Sequence, residues 1–576
     1  MHSFARLSPV RLLCVPTLTL LLGACGGGSG TPTPATYTLS GGVTGLTATG
    51  LVLSVNGSNV SVPSGASSVS LASGLATGTA YTVTIGTQPG GESCSVKSGS
   101  GTIEGASVSS VLISCAQIYS LNAAFTHLHA SGLTLSVNGS SVAAASSTTS
   151  LVLISNLTTG SSYSVSISKQ PTNQWCTVAN GTGTISTSDV SVTVNCPFTL
   201  LYDFNASGGE VLDGPGSLLL GTDGNLYGIT SGGSGGAAGG ALFEYNLSSQ
   251  QESVLWKFSV SGGGFGPTGT LALDFQNDFE GVAMSGGANG AGTIFVYNPV
   301  NRTEADLASF SASTGDSPVG GIGPFDNVVP GGGLTPPPQV GNLGLASQGG
   351  AYGYGTIYDY ESPTVAAVYS FAGGSDGSSP VGRLVYDANT NMVYGLTSNG
   401  GTFGLGTLFA FQPSAKILGQ GTESVLHAFA GGASDGAFPE GSLILAPDGN
   451  LYGLTSAGGI GGDGVIFEYN MQTHLLTVLY SFEGGTSDGS APDGTLLKAS
   501  DGNFYGMTST GGQYNQGTVF VYNPTSGTEA VLYSFGMLGN LSNPAGYLID
   551  DGTGNLYGVT AGGGSGDAGI FEYQIN

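Results

Sequence analysis

Two alternations of apolar and polar residues run along this chain. Near the N-terminus apolar side chains fall on every second position, at Leu51, Leu53 and Val55 and again at Leu133, Leu135 and Val137. A period of two marks a strand with one buried face. Asn56-Gly57 and Asn138-Gly139 close these runs, a strong hairpin signal. Tyr81-Thr82-Val83-Thr84-Ile85 and Tyr163-Ser164-Val165-Ser166-Ile167 repeat the alternation later. The spacing predicts two copies of one small antiparallel sandwich, over 37–117 and 118–197.

A different pattern begins at Pro197-Phe198 and runs to the end. A Phe-x-Tyr strand recurs around Phe243, Phe295, Tyr358, Phe409, Phe467, Phe520 and Phe571. An Asn-Leu-Tyr-Gly strand precedes it, sharp at Tyr227, Tyr394, Tyr452, Tyr505 and Tyr557 and eroded near Val282 and Leu343. A Tyr-Ser-Phe strand follows, around Trp256, Ala308, Tyr369, His427, Tyr480 and Tyr533. A fourth apolar run precedes each Asp-Gly turn, as Leu443-Ile444-Leu445-Ala446 does. Four short strands in seven copies predict a β-propeller, because rungs of a β-helix are shorter and sandwich units longer. The expected architecture is therefore all-β: two small disulfide-bonded sandwiches, then a seven-bladed propeller over 198–576.

The phase of the repeats sharpens this. The region opens with a lone Leu200-Leu201-Tyr202-Asp203-Phe204 and ends on Phe571-Glu572-Tyr573 with no Tyr-Ser-Phe strand after it. If the Leu443-type strand is innermost, the opening strand completes the last blade and closes the ring, leaving no unpaired edge. A frame with Tyr-Ser-Phe innermost would need no such exchange. The third repeat departs from the rest. Asn327–Asn342 contains Pro330 and the run Pro336-Pro337-Pro338, which a paired central strand does not hold. A protruding loop or damaged inner strands are expected there.

Four cysteines fall near the ends of the two sandwich units: Cys94 and Cys115, Cys176 and Cys196. Three pairings are possible. Their duplicate placement favours Cys94–Cys115 and Cys176–Cys196, across antiparallel pairs. No histidine or Cys-x-x-Cys accompanies them, which argues against zinc.

Only 8% of the 576 residues are charged, and 35 Asp and Glu against 9 Lys and Arg give a formal net charge of -26. That balance repels nucleic acid and anionic lipid heads. The 103 glycines lie in register between aromatic strands, where they read as turns rather than disorder.

Residues 1–24 read as an export signal, with Arg6 and Arg11 ahead of a short apolar run from Leu12 to Leu22. Leu22-Gly23-Ala24-Cys25 resembles the lipobox of bacterial lipoproteins. That resemblance implies lipidation of Cys25, with the lipid holding the protein to a membrane. Residues 25–36, Gly- and Pro-rich, would be a flexible tether. Gly26, rather than Asp, is similar to the pattern that sorts such proteins to the outer membrane.

The register Asp501-Gly502-Asn503-Phe504-Tyr505-Gly506-Met507-Thr508-Ser509-Thr510-Gly511-Gly512, then Gly517-Thr518-Val519-Phe520-Val521-Tyr522, then Leu532-Tyr533-Ser534-Phe535, resembles the GloVer (Gloeo/Verruco) tandem repeats of bacterial surface proteins. The resemblance covers 198–576, and it implies a secreted or anchored repeat protein with no defined activity. The units over 37–117 and 118–197 look like the bacterial immunoglobulin-like modules placed before such domains.

Recurring acids are the first candidates for chemistry. Asp316, Asp376, Asp435 and Asp488 lie in Ser-Asp-Gly or similar loops, and Asp223, Asp448 and Asp501 in Asp-Gly-Asn turns. Calcium would want several such oxygens together. Turn chemistry explains one Asp per repeat as well, since Asp accepts bonds from its own following amides. No catalytic residue and no cofactor is assigned. Of five histidines, His427 takes a Tyr place in a strand, His474 falls in a turn and His127 and His129 lie in the second sandwich. Trp175 and Trp256 read as packing. Paired carboxylates could meet at the centre of a propeller and act on a sugar, but no spacing singles out a pair. The expectation is an exported, lipid-anchored, non-catalytic binding or scaffold protein with a glycan or surface-protein ligand. The alternatives are a glycoside hydrolase or polysaccharide lyase, and a purely structural envelope component.

Overall fold

The computed structural model describes residues 33–204, 216–232, 239–261, 263–274, 276–322, 342–414, 416, 418–538, 541–562 and 568–575. Cys25 and its tether lie outside them, as does all of Asn327–Asn342 but its last residue. The described residues are all-β, with one short 3-10 turn at Gly374–Asp376 and no helix long and apolar enough to cross a membrane. They fall into two compact units, Met1–Tyr119 with Ser155–Thr159, and Ser120–Ile154 with Gly160–Asn576.

In the first unit two four-stranded sheets enclose one core. One sheet runs Ser68–Leu75, Tyr37–Thr44, Val108–Gln117, Glu92–Lys97; the other runs Ser58–Ser61, Val52–Val55, Ala80–Thr87, Ser100–Thr102. Leu39, Leu53, Leu71, Val83, Val111 and Ile113 meet between them, as the period of two requires. The sheets are not wholly antiparallel. Tyr37–Thr44 and Val108–Gln117 lie side by side and run the same way, because the first and last strands share the centre of one sheet. Cys94 and Cys115 stand directly opposite on antiparallel strands and are bonded. The Gly-rich stretch between them is not a simple hairpin: Ser100–Thr102 crosses to the other sheet and pairs with Ala80–Thr87.

The second unit opens with the same arrangement, including the Cys176–Cys196 disulfide and the parallel central pair. Its last strand does not stop. Val190–Asp203 pairs through Val190–Asn195 with Tyr119–Thr126, then through Phe198–Asp203 with the chain's final strand, Gly569–Gln574. The boundary expected at Pro197 therefore lies inside one strand. Pro197 sits at a register shift between the pairs Trp175–Phe198 and Thr177–Asn195, where its missing N–H is not needed.

The rest of this unit is a series of four-stranded antiparallel sheets. The fifth repeat shows the order: Gly436–Leu445, Leu451–Gly458, Val465–Asn470, Leu475–Ser481. Five others repeat it, beginning at Leu219, Gly264, Asp316, Ser378 and Gly489. A seventh, Pro544–Asp550, Asn555–Thr560 and Gly569–Gln574, is completed by Val190–Asp203. The third repeat's first strand, Asp316–Val319, has 4 residues where the fourth repeat's Ser378–Asp387 has 10.

The repeat motif is explained by packing. Leu451, Phe467 and Tyr469 are buried, each contributing about 1.5–3 kcal/mol of apolar burial. Gly453 stands opposite Phe467, and a Cβ there would lie 2.5 Å from the ring tip. Glycine in the Tyr-Gly pair makes room for the Phe of the next strand. The Thr two residues on pairs with the Thr that opens that strand: Thr508 and Thr518 hydroxyls are 2.8 Å apart.

Apolar clusters join each sheet to its neighbour, including the seventh to the first. There Phe243 and Tyr245 pack with Tyr557 and Ile570. A latch repeats alongside. The amides of Ser379, Phe438, Ala491 and Asn543 donate to Tyr354, Leu405, Asp463 and Gln516 carbonyls of the preceding repeat, at 2.8–2.9 Å.

Candidate functional site

The Asp-Gly-Asn acids are bound into their own turns. Asp501 accepts from the Asn503 amide at 2.9 Å, the Asn503 side chain at 2.7 Å and the Tyr505 hydroxyl at 2.7 Å. Partial burial pushes its pKa up, and these bonds outweigh that and hold it below the usual carboxylate range. Asp223 makes the same three bonds to Asn225 and Tyr227, and Asp448 accepts from the Asn450 amide and the Tyr452 hydroxyl, the Asn450 side chain donating to Glu468 instead.

Asp376, Asp435 and Asp488 occupy one position in successive repeats. Each accepts an amide from the loop before it, Ala372, Ala430 or Glu483. Each also meets the side chain at the Tyr place of the outer strand: Tyr369 at 2.6 Å, His427 at 3.0 Å, Tyr480 at 3.0 Å. His427 thus substitutes for Tyr in both packing and bonding. Asp316 does not belong to this set. Thr314 fills the place in the third repeat, its hydroxyl accepting the Ser311 amide at 2.9 Å, and Asp316 starts that repeat's first strand two residues later. The structure does not bring the four acids together. Among the described residues, Glu92, Cys94 and Cys115 form a close group of potential ligands. Both sulfurs there are spent in the disulfide.

The first strands of adjacent repeats meet through backbone. In the fifth repeat Glu440 faces Leu454 and Ile444 faces Tyr452, so Gly441-Ser442-Leu443 bulges out of register. Gly441 has φ +68, and a Cβ on it would overlap the Gly494 carbonyl of the next repeat. The same contact runs from Gly320 to Gly382, Gly382 to Gly441, and Gly494 to Gly546. Gly269 meets Gly320 and bridges Gly216, and Gly546 approaches Gly216.

Side chains flanking these glycines carry the convergent chemistry. On the C-terminal side, the Arg383 amide donates to the Ser442 hydroxyl at 2.8 Å and the Ser442 amide to the Thr495 hydroxyl at 2.9 Å. Burial pushes the Arg383 pKa down to about 10, partly offset by a hydrogen bond with Tyr547. On the N-terminal side stand Glu440 and Asp493, from adjacent repeats. Burial raises both; the Asp493 charge adds to the rise of Glu440, to about 7, while the Gly494 amide opposes that of Asp493. Buried acids with raised proton affinity are candidates for acid–base chemistry. Neither was singled out from sequence. Each stands just before the bulge glycine of its repeat, a signal visible only once that glycine's role is known.

Residues 341–572 match the Gloeobacter/Verrucomicrobia repeat family. The match spans the third to seventh repeats. No curated protein is similar enough in sequence to count as a relative. Solved structures resemble the chain only faintly. A puromycin-hydrolyzing peptidase of Mycobacterium tuberculosis is 11% identical, covers 62% of this chain and 51% of its own, and has a TM-score of 0.38. The extracellular domain of a hybrid two-component system from B. thetaiotaomicron is 11% identical over 64% of this chain and 39% of its own, at 0.40. The α-L-arabinanase of Penicillium chrysogenum is 11% identical over 62% and 93%, at 0.34. The chain spans about half the length of the first of these. Likenesses this weak carry nothing about activity.

Proposed function

We propose that this chain is an exported binding or scaffold protein without catalytic activity, in which residues 198–575 form a seven-bladed propeller closed by Phe198–Asp203. The seven sheets, the core shared by the seventh and first of them, and the glycine contacts that return to Gly216 support the propeller. The two disulfide-bonded units ahead of it fit immunoglobulin-like modules. Lipid on Cys25 would hold the whole to the bacterial envelope, at the outer membrane. The observation that carries the non-catalytic reading is the fate of the recurring acids. Asp223, Asp448, Asp501, Asp376, Asp435 and Asp488 all bond the chain's own amides and ring hydroxyls or imidazole, which leaves the loops as what the fold presents.

The test is a screen of the full mature chain against immobilised glycans and cell-surface proteins. A specifically retained ligand supports the reading, and retention of none in either class overturns it. Metabolic labelling with a radioactive fatty acid, lost in Cys25→Ser, tests the anchor.

A second reading, a carbohydrate-active enzyme, is favoured by one observation, the Glu440–Asp493 pair. Polysaccharide cleavage abolished by Glu440→Gln and by Asp493→Asn would replace the binding reading.

A further inference from the structure

The third to sixth repeats share one feature that folding does not require. The loop between the second and third strands has the form Gly-Gly-x-x-x-x-Gly, and its tip carries an exposed planar or branched apolar side chain. In successive repeats these are Tyr352, Phe403, Ile460 and Tyr514, with relative exposures of 63%, 59%, 77% and 47%; the three aromatic residues stand second after the Gly-Gly pair, and Ile460 stands first, with Gly461 in the second place. Single exposed apolar residues are ordinary. An exposed apolar side chain in the same loop of four consecutive repeats, aromatic and at one position in three of them, is not a scatter. The second repeat puts Asn289 there, its side chain turned back to the Phe310 carbonyl. By sequence the first and seventh repeats have no aromatic residue in this loop.

The loops are rigid platforms. Gly349 bridges Tyr354, Gly400 bridges Leu405 and Gly458 bridges Asp463. The amides of Gly355, Gly406, Gly464 and Gly517 close each base on the carbonyls of Gly349, Gly400, Gly458 and Gly511, at 2.9–3.1 Å. The next repeat's inner strand then clasps each loop through the amide latch already described. A backbone held this way loses little entropy on binding.

We propose that Tyr352, Phe403, Ile460 and Tyr514 form a track for a neutral polysaccharide. This rests on the binding reading and gives its ligand a class. Pyranose rings offer flat C–H faces that stack on Tyr and Phe, and their hydroxyls match the exposed amides and carbonyls of glycine-rich loops. A ligand built of repeating units suits a receptor whose contacts repeat from sheet to sheet. Charge removes the polyanionic glycans: the chain carries -26, and Asp376, Asp435, Asp463 and Asp488 lie at the same ends of these sheets. Those acids are engaged with the chain's own donors, so they do not offer a cationic partner free counterions. A protein partner would want a contiguous apolar centre, whereas these side chains stand singly between glycines.

The test is affinity electrophoresis of the full mature chain in gels containing xylan, mannan, galactan or a β-glucan, with polygalacturonate as the anionic control. At least one neutral polymer should retard the native chain. Tyr352→Ala/Phe403→Ala/Tyr514→Ala should weaken that binding tenfold or more, with the melting temperature unchanged because the side chains are exposed. Phe403→Ala alone should give a partial loss, and Val300→Ala, 86% exposed but on a turn between third and fourth strands, none. Retardation by neutral polymer that survives in the triple variant overturns the track and leaves the binding reading standing. So does retention of a protein or polyanion with no neutral polymer bound. Retention of nothing removes both.

Discussion

The two N-terminal domains follow one plan and end differently. Strand for strand, 37–117 and 119–196 match: Tyr37–Thr44 with Tyr119–Thr126, Val52–Val55 with Thr134–Val137, Glu92–Lys97 with Gln174–Ala179. The first closes on Gln117. The second sends its last strand into the repeat region, where Phe198 stacks on Tyr533 with ring centroids 3.5 Å apart. The buried polar side chain two residues before each first cysteine has changed with it. Glu92 gathers donors on one oxygen: the Thr47 amide at 2.8 Å, the Ala48 amide at 3.1 Å, Gln117 at 2.7 Å and the Thr47 hydroxyl. Its other oxygen is buried with no partner. Gln174 accepts the amides of His129 and Ala130 in the same way, and its nitrogen donates to the carbonyls of His127 and Cys196 at 2.6 and 3.0 Å. The second sandwich thus completes a sheet of the repeat region through one continuous strand.

The disulfides break the comparison most strongly. Each closes about 20 residues, so replacing either cysteine pair with alanine should cost about 3 kcal/mol. The expected difference is in what melts. Cys94→Ala/Cys115→Ala should lower one calorimetric transition and leave that of the repeats in place. Cys176→Ala/Cys196→Ala should lower the repeat transition as well, because Val190–Asp203 belongs to both. Equal effects of the two pairs on the repeat transition would show that the shared strand does not couple them.

Exchanging the buried side chains comes next. Gln174→Glu places a carboxylate oxygen against two carbonyls and should cost about 2–3 kcal/mol in urea unfolding at pH 7. Glu92→Gln puts a donor where an oxygen now has no partner, and should leave stability unchanged or raise it by up to about 1 kcal/mol. A loss on Glu92→Gln as large as on Gln174→Glu would mean the two sites are not equivalent. Gly45→Ala falls between the two. Gly45 has φ +75 and a Cβ there would overlap the Cys115 carbonyl, so about 2 kcal/mol is expected. The matching residue His127 already has a Cβ at φ 59, with its ring on Asn195 at 3.0 Å. His127→Gly should therefore be nearly neutral.

How much of this could be read beforehand follows from what kind of rule made each feature. Alternation and turn residues are local, so strand order, both disulfides and the pairing of Leu200–Asp203 with the final strand were legible. Pro197 looked like a boundary because the repeat pattern begins beside it; the strand instead runs through at a register shift. Glu440 and Asp493 were invisible because they matter through two adjacent repeats rather than through spacing within one. Asp316 was grouped with Asp376 on its neighbours in sequence, whereas the count back from the inner-strand proline puts Thr314 there. The loop-tip apolar residues were passed over because Gly-Gly-x-x-x-x-Gly reads as a turn whatever stands at its centre.

The smallest expected effect carries the comparison into the seams between repeats. Tyr369 donates to Asp376 at 2.6 Å and lies 3.2 Å from Glu423 of the next repeat. One hydroxyl has one proton, so it cannot donate to Asp376 and Glu423 at once, and a protonated Glu423 would supply the second. Tyr480, Asp488 and Glu529 repeat the arrangement. Both glutamates have a buried oxygen without a partner. Burial, with the Asp charge adding to it, raises each to about 8. Where His427 replaces the tyrosine, the matching residue of the next repeat is Leu476, and no third proton is called for. An acid raised this far above its unfolded value of about 4.3 binds more protons folded than unfolded between those limits. Stability from these two sites is then fully present below about pH 4.3, declines as pH rises to about 8, and is flat beyond. Glu423→Gln and Glu529→Gln keep a neutral donor at all pH values. Each should gain about 1 kcal/mol at pH 9, after discounting for partial exposure, and change little at pH 4. Urea midpoints at the two pH values decide it: a loss at both would mean the glutamates are charged in the folded protein and hold the seam as anions.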